Sequence, residues 1–337
     1  MTTEPINIDD LVQDALAIIE RTKLARPGEY RRSALPSQTT ADELANEYGV
    51  ADAANLLYTL GHFPQDEPTR AGFIQTLRSM QNASTGLWSE ATHHTYHCTA
   101  HCIAALELFD VMPAHPPAEL ARFKSPQGIT GLLEQLDWTT NPWNQSHQGA
   151  GVFSALLITG VADEPCRNAY FGWLEQNWDP QTGFLRRGHQ PGMIEGSAPL
   201  HNHMGSTFHY LFNIEADRRP IPFARQMVDT CLQMAANGEA HAFAGRMSFL
   251  FIDWIYCLNR AVRQSAHRYD ESRQVLRSTA VACIDFLRNI DRADPLYNDL
   301  HYLFGMWCAL AELQSALPGF IRTSRPLKLV LDRRPFI

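Results

Sequence analysis

Apolar residues recur three and four positions apart along nearly the whole chain, and runs of alternating β-branched residues are almost absent. The pattern predicts an all-α protein. Helices are expected near residues 8–24, 42–60, 66–81, 94–110, 125–137, 146–159, 164–178, 202–216, 221–236, 248–264, 271–290 and 298–315, separated by punctuation such as Gly61, Pro64, Pro113, Gly160, Pro180, Gly183, Pro220, Gly238 and Pro295.

Every second helix opens with polar and aromatic side chains and then turns small and apolar. His94-Thr95-Tyr96-His97-Cys98, Ser146-His147-Gln148-Gly149-Ala150, Asn202-His203-Met204-Gly205 and Asn298-Asp299-Leu300-His301-Tyr302 share this style, recurring at roughly 50-residue spacing, one helical pair with its loops. The helices between them carry more charge. A helix that is apolar nearly all round must be buried, so the first kind forms an inner layer and the charged kind an outer one. About six such pairs predict an (α/α)6 toroid with a central funnel, a single domain over 1–337. The 8–24 helix closes its outer layer and 319–337 forms a C-terminal tail. An open solenoid is the rival arrangement.

Two loops read alike. Gln81-Asn82-Ala83-Ser84-Thr85-Gly86-Leu87-Trp88 and the stretch from Trp173-Leu174-Glu175-Gln176 to Gln181-Thr182-Gly183-Phe184-Leu185 each place a Gln near the end of an outer helix, then polar residues, a Gly and an aromatic. This resembles the repeat of the terpenoid cyclase and protein prenyltransferase superfamily, which implies the α/α toroid fold. The toroid is also similar to that of six-hairpin glycosidases and toroidal polysaccharide lyases, which place catalytic side chains at inner-helix openings. The Asp-x-Asp-Asp acid of class II cyclases is absent from the sequence, and no Asp, Cys and His set matches the prenyltransferase zinc site.

Composition narrows the partners. The chain has 28 basic against 36 acidic residues, a net charge of -8, and no basic block able to neutralise a phosphate backbone, which argues against nucleic acid. No apolar run reaches the roughly 18 residues of a membrane span, and Met1 to Asp10 lacks the features of a signal peptide, so a cytoplasmic protein without a membrane partner is expected. Of the seven cysteines, Cys98, Cys102, Cys231, Cys257, Cys283 and Cys308 sit in apolar helical stretches, and buried free thiols are the default reading.

Candidate chemistry gathers at the helix openings. His94, His97 and His101 follow three- and four-residue steps along one helix face, and with Cys102 beside them they form a candidate zinc-type site. No spacing motif of a known metal centre accompanies them, so no cofactor is expected and hydrogen-bonded histidines lining the cavity are the plainer reading. His203, Asn202 and Tyr210 suit proton abstraction beside a carboxylate, although Asn202 also reads as a helix cap. Asp253, set among Phe249, Leu250, Phe251, Ile252 and Trp254, needs either a partner such as Arg246 or Arg260 or a raised pKa, and it is the leading acid candidate. Tyr96, His94, His97, Trp143, Gln145, His147, Asp299 and His301 are expected to bind substrate. Arg186 is a further binding candidate, at the start of a Gly- and Pro-rich segment to Leu200 that reads as a lid; Glu90 and Glu195 also have funnel-facing positions.

A small-molecule or oligosaccharide substrate follows from these polar openings, with lyase or hydrolase chemistry on a glycan. A terpenoid cyclase-like or prenyl-binding enzyme and a non-catalytic toroid are the alternatives. A funnel of imidazole, amide and carboxylate favours sugar, whereas aromatic and aliphatic walls favour an isoprenoid.

Overall fold

The computed structural model describes residues 4–36, 44–186 and 197–337, and it is all-helical apart from one short strand pair. Twelve helices fall where the apolar period puts them. In chain order these are α1 (Asp9–Thr22), α2 (Glu47–Thr59), α3 (Glu67–Ser79), α4 (Thr95–Glu107), α5 (Pro126–Gln135), α6 (Pro142–Ile158), α7 (Glu164–Asn177), α8 (Leu200–Ala216), α9 (Ala224–Ala236), α11 (Phe249–Ser265), α12 (Tyr269–Asn289) and α13 (Leu300–Ala316). Two short helices, α10 (Glu239–Ala244) and α14 (Val330–Arg333), were not predicted, because six and four residues hold too little pattern to read. Local chemistry fixes many of the starts: the Asn46, Asp66, Asp163 and Asp299 side chains accept the free N–H groups of α2, α3, α7 and α13.

Burial separates the helices into two kinds. From Tyr96 to Leu106, α4 is buried at every position, whereas α3 buries only Phe73 and Leu77. The fully buried helices pack in sequence order, α2 on α4, α4 on α6, α6 on α8, α8 on α11 and α11 on α13, and α13 then packs on α2. The half-buried helices lie against them: α3 on α2, α9 on α11 and α12 on α13. β1 (Ile6–Asn7) pairs in parallel with β2 (Ile321–Arg322), Ile6 opposite Ile321, so the two ends of the described chain meet.

The two loops singled out by sequence share their hydrogen bonds. Asn82 N–H donates to Leu87 O and Gly86 N–H to Asn82 O; Asp179 N–H donates to Phe184 O and Gly183 N–H to Asp179 O. Each loop then hands a backbone N–H to a buried threonine of the next buried helix, Trp88 to Thr99 and Leu185 to Thr207. Both glycines have φ above +70°, and a Cβ would fall 2.0 Å from Pro116 O at Gly86 and 2.3 Å from Met227 N at Gly183. In the second loop, however, the counterpart of Gln81 is Trp178 rather than Gln176: Gln81 Nε2 donates to Gly86 O, and Trp178 Nε1 donates to Gly183 O. An indole N–H and an amide N–H serve the same carbonyl, an equivalence that residue names conceal.

The segment expected as a simple tail is built into the interior. Arg334, Pro335, Phe336 and Ile337 are buried, Pro335 O accepts from Ser154 at 2.6 Å, and the Phe336 ring packs on His97 and Phe212. Nearby, Arg260 of α11, 3% exposed, binds Glu312 of α13, Glu215 at 2.6 Å and Asp332 at 2.6 Å. Glu312 is itself 2% exposed, and its remaining partner is Asn259 at 2.8 Å. Arg260→Ala is therefore expected to destabilise the fold by about 3–5 kcal/mol, because it leaves a buried carboxylate without its cation. Urea unfolding would measure this, with Arg260→Met/Glu312→Leu recovering much of the loss; a decrement below about 1 kcal/mol for Arg260→Ala would mean the network is a solvated surface pair.

Candidate functional site

The starts of α4, α6, α11 and α13 surround a cavity of about 440 Å³. Five imidazoles line it, those of His93, His97, His147, His209 and His301, together with Arg32, Trp143, Phe249 and Tyr302. The rings form a continuous run: His93 to His97 at 4.9 Å, His97 to His147 at 4.6 Å and His147 to His209 at 4.3 Å. Tyr48 of α2 stacks on His93 at 4.5 Å and on His101 at 5.0 Å.

The histidine stripe on α4 is real but shifted. His93, His97 and His101 stack in four-residue steps, while His94 is exposed and caps the helix, its Nδ1 accepting from Tyr96 N–H at 3.1 Å. As the cap, His94 turns its ring back onto the first turn of the helix and so does not join the face that His97 occupies. Tyr96 turns away too, toward Arg122 and Phe123. Cys102 is buried, and desolvation pushes its thiol well above the usual range, which disfavours the thiolate a metal needs.

Beneath the cavity wall, Asp52 of α2 joins two of these histidines. His101 Nε2 lies 2.7 Å from Asp52 Oδ1, and His301 Nδ1 lies 3.1 Å from Oδ2, with all three residues buried. Burial alone would raise Asp52, but the attraction and hydrogen bonds of His301 and His101 outweigh it and hold the carboxyl below its ordinary range. The carboxylate can only accept, so both imidazoles donate to it. His301 accordingly carries its proton on Nδ1 and keeps a lone pair on Nε2. The ligand atoms of Asp52, His101 and His301 lie within 4.8 Å of one another, so this group could hold a metal ion; of the metal candidates His94, His97, His101 and Cys102, His101 alone belongs to it, and His301 was expected to bind substrate.

A second imidazole is oriented in the same sense. Ser146 Oγ lies 2.6 Å from Trp143 O and 2.7 Å from His209 Nδ1. A carbonyl only accepts, so the single hydroxyl proton goes to Trp143 O, and His209 Nδ1–H donates to the serine. Burial lowers both His209 and His301 to about 3, and it lowers His97 and His147 well below the histidine norm, so these four rings are neutral at pH 7. Tyr48 O–H, 2.5 Å from His97 Nδ1 and pushed well above 10 by burial, supplies the proton of that bond and leaves His97 with an Nε2–H.

Arg32 brings the cation, from the segment between α1 and α2. Its Nε binds Asp299 at 2.8 Å, its Nη1 binds Thr92 at 2.5 Å, and its guanidinium lies 5.3 Å over the Tyr48 ring. Burial opposes its charge, but Asp299, Asp52 and Glu90 together hold it as a cation. Asp299, expected to face substrate, also caps α13 through His301 N–H and Tyr302 N–H.

Other expected residues lie apart from this wall. Asp253 is fully buried with neither oxygen hydrogen-bonded among the described residues, and desolvation raises its carboxyl well above the usual carboxylate range. The arginine partners proposed for it are engaged elsewhere, Arg260 with acids and Arg246 over Phe243 at 5.6 Å. It sits behind Trp143: both residues reach within 2.8 Å of where a Cβ on Gly205 would stand. Tyr210 packs against Trp138 and Tyr170. His203 is buried, lowered to about 4 by desolvation and by nearby Arg186. Asn202 is half-buried inside α8, which Pro199 begins, so Asn202 does not cap it. Arg186 pairs with Asp179 at 3.4 Å, and Gln145 accepts from Gln148 at 3.2 Å. Residues 187–196, most of the expected lid with Glu195, lie outside the described residues.

Sequence reasoning passed over Asp52, Arg32 and Tyr48, and it placed His93 in the histidine cluster without a role on the stripe. Asp52 had a signal, an acid amid Val50, Ala51, Ala53 and Ala54, the same kind that drew attention to Asp253. Arg32 had none, since its partners are 60 and 267 residues away. All seven cysteines are buried and free, and no helix among the described residues is long and apolar enough to cross a membrane. No protein-family description, curated protein or solved structure matches the chain.

Proposed function

We propose that the chain is an α/α toroid enzyme acting on a carbohydrate within the histidine cavity, by proton transfer and elimination of the lyase type. The observation that carries this reading is the pair of neutral, oriented imidazoles on one wall, His301 set by Asp52 and His209 set by Ser146. Cyclic packing of the six buried helices supports the toroid. Imidazoles interleaved with Trp143, Phe249 and Tyr302 suit a ring bearing hydroxyls, and about 440 Å³ holds one or two sugar units. No aspartate or glutamate side chain lines the cavity among the described residues, which favours elimination over hydrolysis by two carboxylates.

In this reading Arg32 receives the carboxylate of a uronic acid. The Nε2 of His301 or His209 takes the proton on the carbon beside that carboxylate, the C–O bond to the neighbouring sugar breaks, and the departing oxygen takes a proton from the cavity wall, with His97 Nε2–H or the Tyr302 hydroxyl as donor. An anionic substrate raises the proton affinity of each nearby imidazole, offsetting the burial that keeps them neutral beforehand. Incubation with uronic-acid oligosaccharides should generate a conjugated C=C chromophore, lost in His301→Ala and His209→Ala, while Arg32→Ala raises KM. A folded wild-type chain that leaves every uronide unchanged would remove this function.

One observation favours a second reading, metal-assisted hydrolysis: the compact Asp52, His101 and His301 group. An ion there would replace the two protons now shared with the carboxylate. One equivalent of tightly held zinc in the purified chain, absent from Asp52→Ala, would establish this reading over the first.

A further inference from the structure

Trp143 and Phe249, two of the aromatic walls of the histidine cavity, both rest on glycines. Behind Trp143 lies Gly205 of α8, where a Cβ would stand 2.8 Å from the indole Cδ1 and Nε1. Behind Phe249 lies Gly305 of α13, where a Cβ would stand 2.8 Å from the ring's Cε1 and 3.0 Å from its Cδ1. Those separations are well inside ordinary van der Waals contact, so no other residue fits at either position while the rings stay where they are.

The backbone requires neither glycine. Both lie within α-helices and neither has a positive φ. A glycine inside a helix costs about 1 kcal/mol relative to alanine. Each helix thus carries a destabilising residue where a cavity ring from the neighbouring helix seats against it, and close approach of that ring is what the missing Cβ permits. The rings also have one direction in which to yield. Asp253 Oδ2 lies 2.8 Å from the same Cβ position at Gly205, and that side chain is fully buried in α11, so it holds its place. Trp143 and Phe249 are only half-buried, with the cavity on their open side. A methyl group at either glycine therefore pushes a ring into the cavity by roughly 1 Å, the distance needed to restore an ordinary carbon contact.

We infer that Gly205 and Gly305 are specificity-determining residues: by seating Trp143 and Phe249 back from the centre of the cavity, they leave room for two linked sugar units where drawn-in walls would admit one. The ligand class rests on the carbohydrate reading above, whereas the width rests on the glycine contacts alone. Elimination breaks the bond between two sugar units, so the width that these glycines provide decides whether both sides of that bond fit inside about 440 Å³.

The test uses the full chain with galacturonic acid and with its disaccharide, digalacturonic acid, binding being read by stopped-flow tryptophan fluorescence ahead of turnover. Gly205→Ala and Gly305→Ala should each weaken the disaccharide at least tenfold and the monosaccharide less than about threefold, the scale on which a pocket discriminates one methylene. Alanine favours both helices, which protects the fold of the variants. Gly305→Ala/Phe249→Leu, with a smaller side chain in the wall, should recover disaccharide binding. Fluorine NMR of the chain labelled with fluorotryptophan gives a readout without ligand: the Trp143 signal, identified by its loss in Trp143→Phe, should move in Gly205→Ala and stay in Gly305→Ala. An unmoved Trp143 signal in Gly205→Ala, equal loss of both uronides, or unchanged disaccharide affinity in both alanine variants would overturn the inference. A moved signal in a chain whose wild type binds neither uronide would instead remove the carbohydrate reading and leave the glycines as what sets the width of the cavity.

Discussion

Asp52→Asn is expected to lower kcat on the order of 10³–10⁴-fold, the scale seen when an acid that fixes a catalytic histidine tautomer is neutralised. Asp52 accepts from His101 at 2.7 Å and from His301 at 3.1 Å. An asparagine offers one acceptor and one donor in place of two acceptors, so one imidazole must turn its lone pair toward the amide and move its proton to the far nitrogen. If that ring is His301, Nε2 becomes an N–H and can no longer take a proton from substrate. The side chain is nearly the same size and lies in the core, so packing is preserved while chemistry changes. Steady-state kinetics should show the loss in kcat, with KM little altered, because Arg32 and the aromatic faces still bind. Full turnover by a folded Asp52→Asn chain would show that His301 is not the working base.

The second large effect is acid lability. His209 and His301 have folded values near 3 and His203 near 4, while His97 and His147 are also held far below 6.5, all with burial as the leading cause. The sign follows from which state binds protons. Below pH 6.5 these histidines protonate in the unfolded chain and stay neutral in the folded one, so the unfolded state gains and stability falls as pH falls. Each withdraws up to about 1.4 kcal/mol per pH unit below 6.5 until its folded value is reached. Five of them remove on the order of 5 kcal/mol by pH 5.5, comparable to the entire stability of many domains. Asp253, and less strongly Glu47, Glu107, Glu215 and Asp299, act in the opposite direction, because their raised folded values favour the native state as pH falls toward 4, but nine described histidines are lowered against them. Thermal melts from pH 8 to pH 5 should show Tm dropping steeply below about 6.5. A flat Tm over that range would mean that the imidazoles are solvated in the native state.

The two effects share an origin in where the histidines lie. A helix that begins polar and continues small and apolar has its polar turn at one end, and cyclic packing brings the openings of α4, α6, α11 and α13 together, while α8 reaches the cavity only through His209, well inside the helix. His147 and His301 were expected at such openings and do meet, with His97 between them. His94 was misplaced by one residue because its ring is committed to capping α4, and His93 takes the place on the stripe. Tyr210 was expected beside His203, yet the one-residue step from His209, about 100° around a helix, turns Tyr210 toward Trp138 and Tyr170 while His209 faces the cavity.

By itself, the sequence determined the helices, their alternation between charged and apolar kinds, and the thiols' burial, because period, capping and solubility act over a few neighbouring residues. Only the tertiary structure decided which side chains work together. Asp52 with His301 and Arg32 with Asp299 are separated by hundreds of positions. Their meeting depends on helix rotation, and a shift of one residue, 100° around a helix, is enough to exchange a cavity wall for a packed core.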